Sequence, residues 1–303
     1  MMKLLEMLRP DFLLHHALYG SVVIGFVCPL VGVYFILRRL VFWGVALPQV
    51  SSAGIACALM LQGFGFHLLS GAESQERHLA ILGSMVFTWI TILVMAALER
   101  RGKGVSEGRI GAIYAAAWAA SILFVAWNAA GETEMLGLLK GEIISISEHD
   151  FHAMLDVFGV VAACMLLFQR EFALVSYDRE MGIALGRNVL GWDILLFSIV
   201  GVTISLGVMT AGPLVVFGML VIPPMAALPW ARGIMSFSLT ASVYGGLSAL
   251  AGFYISYVYD LPLGPVIVSA AVCFFLASFG LHRMRGLAAG FIRTSSVGKV
   301  AGR

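Results

Sequence analysis

The sequence predicts an all-α polytopic membrane protein with about eight or nine transmembrane helices, and its composition and apolar patterning carry that prediction. The 303-residue chain is 60% hydrophobic and only 12% charged, whereas soluble domains carry about 25% charged residues. Several apolar stretches approach the roughly 20 residues that a helix needs to cross a bilayer. We therefore expect a single transmembrane domain over residues 1–285, embedded in a lipid bilayer, and a short tail over residues 286–303.

Nine apolar stretches are candidate spans. They run approximately over residues 17–37, 44–61, 79–98, 110–130, 151–168, 191–210, 213–230, 234–258 and 264–281. The seventh stretch is short and the eighth is long. A count of eight spans with one re-entrant piece is therefore a second possibility.

Basic residues in alternate connections predict the orientation of these spans. Of the 19 Lys and Arg residues, the sparse set of connections holds only Lys3, Arg9, Arg77 and Lys140. The other set includes the Arg38–Arg39 pair and the basic C-terminal tail, and we expect it to be cytoplasmic. The C-terminus is then cytoplasmic and, with nine spans, the N-terminus lies outside.

Missing motifs narrow the class of function. The sequence contains no G-x-x-x-x-G-K-[ST] phosphate loop, so the chain itself is not expected to bind ATP. It contains no H-E-x-x-H motif, which argues against a membrane-embedded metalloprotease. The four cysteines form no C-x-x-C pair and are expected to be free thiols. We expect a chain that is not an enzyme, holds no cofactor and binds no nucleic acid.

The longest connection of the basic set, 169–193, predicts a short amphipathic helix over 176–186. Ser176 can cap such a helix, and Asp178 and Glu180 fall in its first turn, where the helix dipole favours acids. Its apolar side is formed by Met181, Ile183, Ala184 and Leu185, and Gly186 can end it. The exposed apolar side needs a partner, and lipid headgroups or another protein would both serve.

Four stretches in order resemble one family of membrane proteins. The first, 37-LRRLVFWGVALPQVSSAGIA-56, resembles L-R-R-x-x-x-x-G-D-A-x-S-H-x-x-x-P-G-I-A. The others are 139-LKGEIISISEHD-150, 176-SYDREMGIALG-186 and 212-GPLVVFGMLVIPPMAA-227. Together these motifs are similar to those of the permease subunits of bacterial ABC transporters for zinc, manganese and iron. The resemblance covers about residues 18–280.

The resemblance implies partners and a location. Two permease chains, identical or different, would pair around one pathway in the bacterial cytoplasmic (inner) membrane. Two ATPase subunits would bind ATP and dock on the cytoplasmic side, and an extracytoplasmic binding protein would deliver the divalent metal ion. The segment 176–186 would be the coupling helix, with Ser176, Asp178, Glu180, Ala184, Leu185 and Gly186 at the family's positions.

The first motif departs from the family at two positions. The family carries an Asp and a His four residues apart that look like metal ligands, and this sequence has Val45 and Gln49 there. Val45 cannot bind a metal, and a neutral amide oxygen is a weak ligand for zinc, manganese or iron. The cargo is then a chelated metal or another small solute. Otherwise, the pathway coordinates the divalent ion at other residues, or it lets the ion pass without coordinating it. Alternatively, this chain is the ligand-poor member of a heteromeric permease. Pro48 is compatible with a span that is broken at this point or with a kink that serves helix packing.

A replacement site is conceivable at the start of the fifth candidate span. Glu148, His152 and Asp156 are spaced four residues apart and share one helix face. Ionisable groups inside a span usually face a partner or a water-filled path. The three residues are a candidate cation pathway, the alternative being a solvated helix end with a His–Asp hydrogen bond.

Overall fold

A computed structural model of the chain describes the backbone of residues 14–63, 74–100, 107–127 and 148–300, and the side chains of 14–62, 78–95, 107–127 and 151–285. These ranges hold ten α-helices and no strand. The helices are α1 (His15–Leu37), α2 (Val41–Gly63), α3 (Ser74–Arg100), α4 (Glu107–Trp127), α5 (Glu148–Leu167), α6 (Gln169–Tyr177), α7 (Arg179–Ala184), α8 (Val189–Ala227), α9 (Ile234–Tyr259) and α10 (Leu263–Val300). The all-helical membrane architecture predicted from composition is confirmed.

The number of separate long helices is smaller than nine. Within the described residues, seven helices are long and apolar enough to cross a membrane, or up to eight if the bent pair α5 and α6 is one span. The sixth and seventh candidate spans, 191–210 and 213–230, both fall largely within α8. The structure therefore agrees better with the eight-span possibility than with nine separate spanning helices.

Helix α8 is sharply bent at the position where the sequence separates those two stretches. Gly212 has φ 80° and ψ 161°, which is not helical. A Cβ atom built on Gly207 would lie 2.8 Å from Val216 Cγ2, although nine residues of straight helix rise about 13.5 Å. The chain therefore folds back on itself at Gly212. The second arm, 213–227, rises only about 22 Å, less than the roughly 30 Å hydrocarbon core.

Helix α1 lies in the middle of the bundle, packed on α5, α8 and α9, while α2 packs on α3, α4 and α8. Glycines at the helix crossings allow this packing, because they bring no side chain between the two backbones. A Cβ atom on Gly32 would lie 1.8 Å from the Leu220 carbonyl oxygen of α8, and one on Gly25 would lie 2.7 Å from the Gly245 carbonyl oxygen of α9. Small residues at such crossings are typical of helices that associate in lipid.

One end of the bundle gathers connections that carry basic residues. Arg38, which follows α1, pairs with Asp193 near the start of α8, with 2.8 Å between Nη2 and Oδ1. The Arg285 guanidinium near the C-terminal part of α10 lies 4.7 Å from the ring centre of Trp230, which follows α8. Helix α8 thus leaves this end and returns to it. We call this end of the bundle the basic end, and it comprises residues 38–40, 169–193, 228–234 and 282–285.

The beginning of α1 lies at the opposite end of the bundle. The ring of His16 is 5.3 Å from that of Phe151, which lies in the first turn of α5. Tyr19 also approaches Phe151, at 6.4 Å between ring centres. The start of α1 and the Arg285 region of α10 therefore lie at opposite ends, which agrees with the arrangement predicted from the charged connections.

Candidate functional site

Helix α2 carries the two positions where the family has its Asp and His. It runs from Val41 to Gly63 without interruption, with Pro48 inside it. Of the two possibilities at Pro48, a broken span and a packing kink, the continuous helix excludes the broken span. Proline removes one backbone donor, and the packing of α2 between α3, α4 and α8 holds the helix through that position.

Gln49 of α2 contacts the neighbouring helix α4. Its side chain is buried, with 4% of the residue exposed. The Nε2 atom donates to Ser121 Oγ of α4 over 3.4 Å, and that hydroxyl donates to the Ala117 carbonyl over 2.9 Å. Val45, one turn earlier, is half-buried and apolar. The described hydrogen bond of Gln49 therefore joins α2 to α4.

A strip of small polar residues continues along α2. The hydroxyls of Ser51 and Ser84 are 2.6 Å apart, which joins α2 to α3. Ser52 is also buried, and the buried Thr88 hydroxyl of α3 has no hydrogen-bond partner within the described part of the chain. Such hydroxyls are neutral donors and acceptors that hold helices together in lipid. In the sequence, the signal for this strip is the run Gln49, Ser51 and Ser52 inside an apolar span.

His152 and Asp156 lie on one face of α5, as their spacing predicts, and both are exposed. Glu148 begins α5, but its side chain lies outside the described residues. Asp156 is eight residues into the helix, about 12 Å from its start. A carboxylate at that depth requires water or another chain beside it. Within the residues that can be described, no group of three or more His, Cys, Asp or Glu could hold a metal ion.

The family's ligand positions on α2 and the candidate cation pathway on α5 lie on helices with different neighbours. Helix α5 packs mainly on α1, whereas α2 packs on α3, α4 and α8. The structure of one chain therefore does not bring Val45 and Gln49 together with His152 and Asp156.

The predicted amphipathic helix is split into two parts at Asp178. Asp178 is the N-cap of the second part, α7, and its Oδ1 accepts from the Met181 N–H over 2.9 Å. Ser176, predicted as the cap, lies instead in the last turn of α6, where its hydroxyl accepts from Arg38 Nε over 2.9 Å. The extended backbone of Asp178 places the helix start two residues later than predicted. Gly186 adopts φ 69° and follows α7, as the sequence suggests.

The apolar side of this segment is uncovered. Tyr177, Met181, Ile183 and Leu185 are between 53% and 84% exposed. Glu180 and Ala184 are also exposed, while Gly182 is buried against Val189 of α8. We call the four large residues the coupling surface. Exposed apolar side chains of this kind mark a surface that contacts another protein or lipid headgroups.

A pair of basic residues meets one acid beside the coupling surface. Asp193 Oδ1 accepts from Arg38 Nη2 over 2.8 Å, and Asp193 Oδ2 lies 3.2 Å from Arg179 Nη2. The side chains of Arg38 and Asp193 are only 13% and 10% exposed. The sequence alone does not predict this cluster, because the meeting of Arg38, Arg179 and Asp193 depends on how α1, α7 and α8 pack.

The chain matches the ABC 3 transport family over residues 11–282. Three relatives share about a quarter of its residues and nearly its whole length. The "Manganese transport system membrane protein MntC" of Listeria monocytogenes is 25% identical over 94% of this chain and 96% of its own. The "Probable iron transport system membrane protein" of Haemophilus influenzae is 26% identical over 94% and 95%. The "Zinc transport system membrane protein TroC" of Treponema pallidum is 26% identical over 94% of both chains.

A solved structure has the same fold. The chain is similar to PsaBC from Streptococcus pneumoniae in complex with Fab, with a TM-score of 0.77 and 22% sequence identity. The similarity covers 92% of this chain and 95% of that one. The helical architecture described above is therefore that of a known membrane protein fold.

Proposed function

Because this chain belongs to the ABC 3 transport family, we propose that it is the permease subunit of an ATP-driven importer for a divalent transition-metal ion: zinc, manganese or iron. The observation that carries this proposal is the family match over residues 11–282, nearly the whole transmembrane bundle. Relatives named for manganese, iron and zinc transport are similar over nearly their full length, which supports this class of cargo.

The basic end is proposed to face the cytoplasm and to receive the ATPase subunits. Its arginines agree with the positive-inside rule, and its exposed coupling surface offers apolar contact area outside the bundle. Of the family's positions, Asp178 caps α7 and Gly186 ends it, while Glu180, Ala184 and Leu185 are exposed. Ser176 holds Arg38 rather than the cap. We propose that a second permease chain and an extracytoplasmic metal-binding protein complete the transporter.

The candidate cation pathway is proposed to run along α5. His152 and Asp156 are exposed on the same face of that helix, and a carboxylate inside a span favours a water-filled path. A facing chain would enclose this surface in the assembled permease. Glu148 is included in the proposal by its spacing of four residues from His152.

Reconstitution tests the proposed function. The permease, assembled with its ATPase and binding protein in proteoliposomes, should accumulate radioactive zinc, manganese or iron when ATP is supplied. In the same assay, Asp156→Asn should lower uptake about tenfold, because the substitution removes the charge and keeps the shape. Failure to transport any of the three metals would refute the proposed cargo, and normal uptake by Asp156→Asn would remove Asp156 from the pathway.

The hydrogen bond of Gln49 to Ser121 favours an alternative class of cargo. The amide of Gln49 is engaged with Ser121 and its neighbour Val45 is apolar, so α2 offers no charged ligand for a bare ion. A chelated metal or another small solute would not need one. A permease in which a different, ligand-bearing chain pairs with this one is the other explanation. Uptake of free against chelated metal, by transporters assembled with one or two kinds of permease chain, separates these cases.

A further inference from the structure

We infer that Arg38, Asp193 and Arg179 form a joint that transmits movement of α7 to helices α1, α2 and α8. This inference rests on the proposed function, because it assigns the route by which ATPase subunits docked at α7 would act on the membrane helices. Asp193 is a positioning residue at the centre of the joint: it accepts from one arginine of the bundle and pairs with one arginine of α7.

The geometry joins three helices at a single carboxylate. Arg38 is the C-cap of α1, and its Nη2 is 2.8 Å from Asp193 Oδ1 in the first turns of α8. Arg179 is the first residue of α7, and its Nη2 is 3.2 Å from the other oxygen, Oδ2. The Nε atom of Arg38 also donates to Ser176 Oγ, the last turn of α6. A displacement of α6 and α7 therefore pulls on charged groups fixed to α1 and α8.

A row of aromatic contacts continues from Arg38 to α2. The Arg38 guanidinium lies 5.2 Å from the ring centre of Phe197 in α8. Phe197 stacks on Trp43, with ring centres 5.5 Å apart and an interplanar angle of 26°. Trp43 is fully buried and precedes Val45 by two residues on α2. The joint thus contacts, through two rings, the helix that carries the family's ligand positions.

The two ion pairs have different exposure, and this suits a joint with one fixed and one adjustable part. Arg38 and Asp193 are nearly buried, so separating them would leave the Arg38 guanidinium without a carboxylate and with little water around it. The side chain of Arg179 is 51% exposed, and an exposed pair is weak and can open and close at little cost. Movement of α7 would therefore change the pairing at Arg179 while the pairing of Arg38 holds.

The test compares metal moved per ATP hydrolysed in the assembled transporter in proteoliposomes. Arg179→Gln should lower this ratio about fivefold, the lower end of typical couplings between sites, while Arg179→Lys, which keeps the charge, should restore most of it. Asp193→Asn should lower the ratio at least as much. Arg109→Gln, a matched change at an exposed arginine of α4 outside the basic end, should leave the ratio unchanged.

A purely structural role would lower the amount of assembled complex without changing the ratio. Because Arg179 is half exposed, its variants should assemble normally even if Asp193→Asn does not. An unchanged ratio in Arg179→Gln would overturn the inference. Stimulation of ATP hydrolysis by the binding protein gives a second readout that needs no metal uptake, and it should fall in Arg179→Gln and persist in Arg179→Lys. A wild-type transporter that moves no metal would refute the proposed cargo, and this second readout would still decide the joint.

Discussion

At the scale of single residues, Gln49 shows how a position in a transport helix can serve packing. A neutral amide buried in the bundle satisfies a hydroxyl on a neighbouring helix, here Ser121 on α4. It carries no charge with which to replace the water around a divalent cation. The sequence already revealed that Val45 and Gln49 lack the family's ligands. It could not reveal Ser121 as the partner, because 72 residues separate the two in the chain and only the packing of α4 on α2 joins them.

Gln49→Ala should therefore affect stability more than transport. We expect the free energy of unfolding to fall by about 0.5–1.5 kcal/mol, the usual value of one hydrogen bond, since Ser121 keeps its bond to the Ala117 carbonyl. Metal uptake should stay within about twofold of the wild type. Unfolding of the purified protein and uptake in proteoliposomes measure the two effects.

Gln169→Ala is the matched control for Gln49→Ala. Gln169 is equally buried, and its Nε2 bonds both the Ile234 carbonyl and Ser238 Oγ. Its replacement should cost more stability than that of Gln49, because two acceptors lose a donor. If Gln49→Ala abolished uptake at normal stability, the amide would have to contact the cargo.

At the scale of elements, the reversal inside α8 combines a local signal with a tertiary result. The Gly212–Pro213 pair predicts a break, because proline lacks the N–H that would continue the helix and glycine accepts positive φ. The boundary between the candidate spans 191–210 and 213–230 coincides with this break in α8. That the second arm turns back toward the basic end, rather than crossing onward, follows from the contact between Gly207 and Val216. Periodicity alone does not contain that information.

Gly212→Ala should destabilise the reversal. Residues other than glycine are strained at φ 80° and ψ 161°, and such backbone strain costs about 1–3 kcal/mol. We expect a lower melting temperature of the purified protein and reduced uptake. Gly280→Ala on α10 is the control: a Cβ atom there meets nothing within 4 Å, and alanine favours a helix by about 0.5–1 kcal/mol. Equal melting temperatures for the two variants would mean that the conformation at Gly212 does not matter for stability.

At the scale of the whole molecule, the charged connections predicted which helix ends lie together. Arg38, Arg179 and Arg285 fall in separate connections of the basic set, and the structure places all three at one end of the bundle. The distribution of arginines follows membrane orientation, so a single sequence is enough to read it. The central place of α1 was not predictable, because every long helix is apolar on most of its surface. Close approaches such as that of Gly32 to Leu220 decide which helices meet.

The two ends of the bundle should be accessible from opposite sides of the membrane. Leu261, in the turn after α9, is 46% exposed at the end away from the basic connections, and Arg187, before α8, is exposed at the basic end. In a chain whose four cysteines are replaced by alanine, a membrane-impermeant maleimide should label Leu261→Cys in intact spheroplasts. It should label Arg187→Cys only after the membrane is opened, because arginine-rich connections stay in the cytoplasm. Labelling of both variants from the same side would contradict the bundle arrangement, and the reverse pattern would place the coupling surface outside the cell, where no ATPase could reach it.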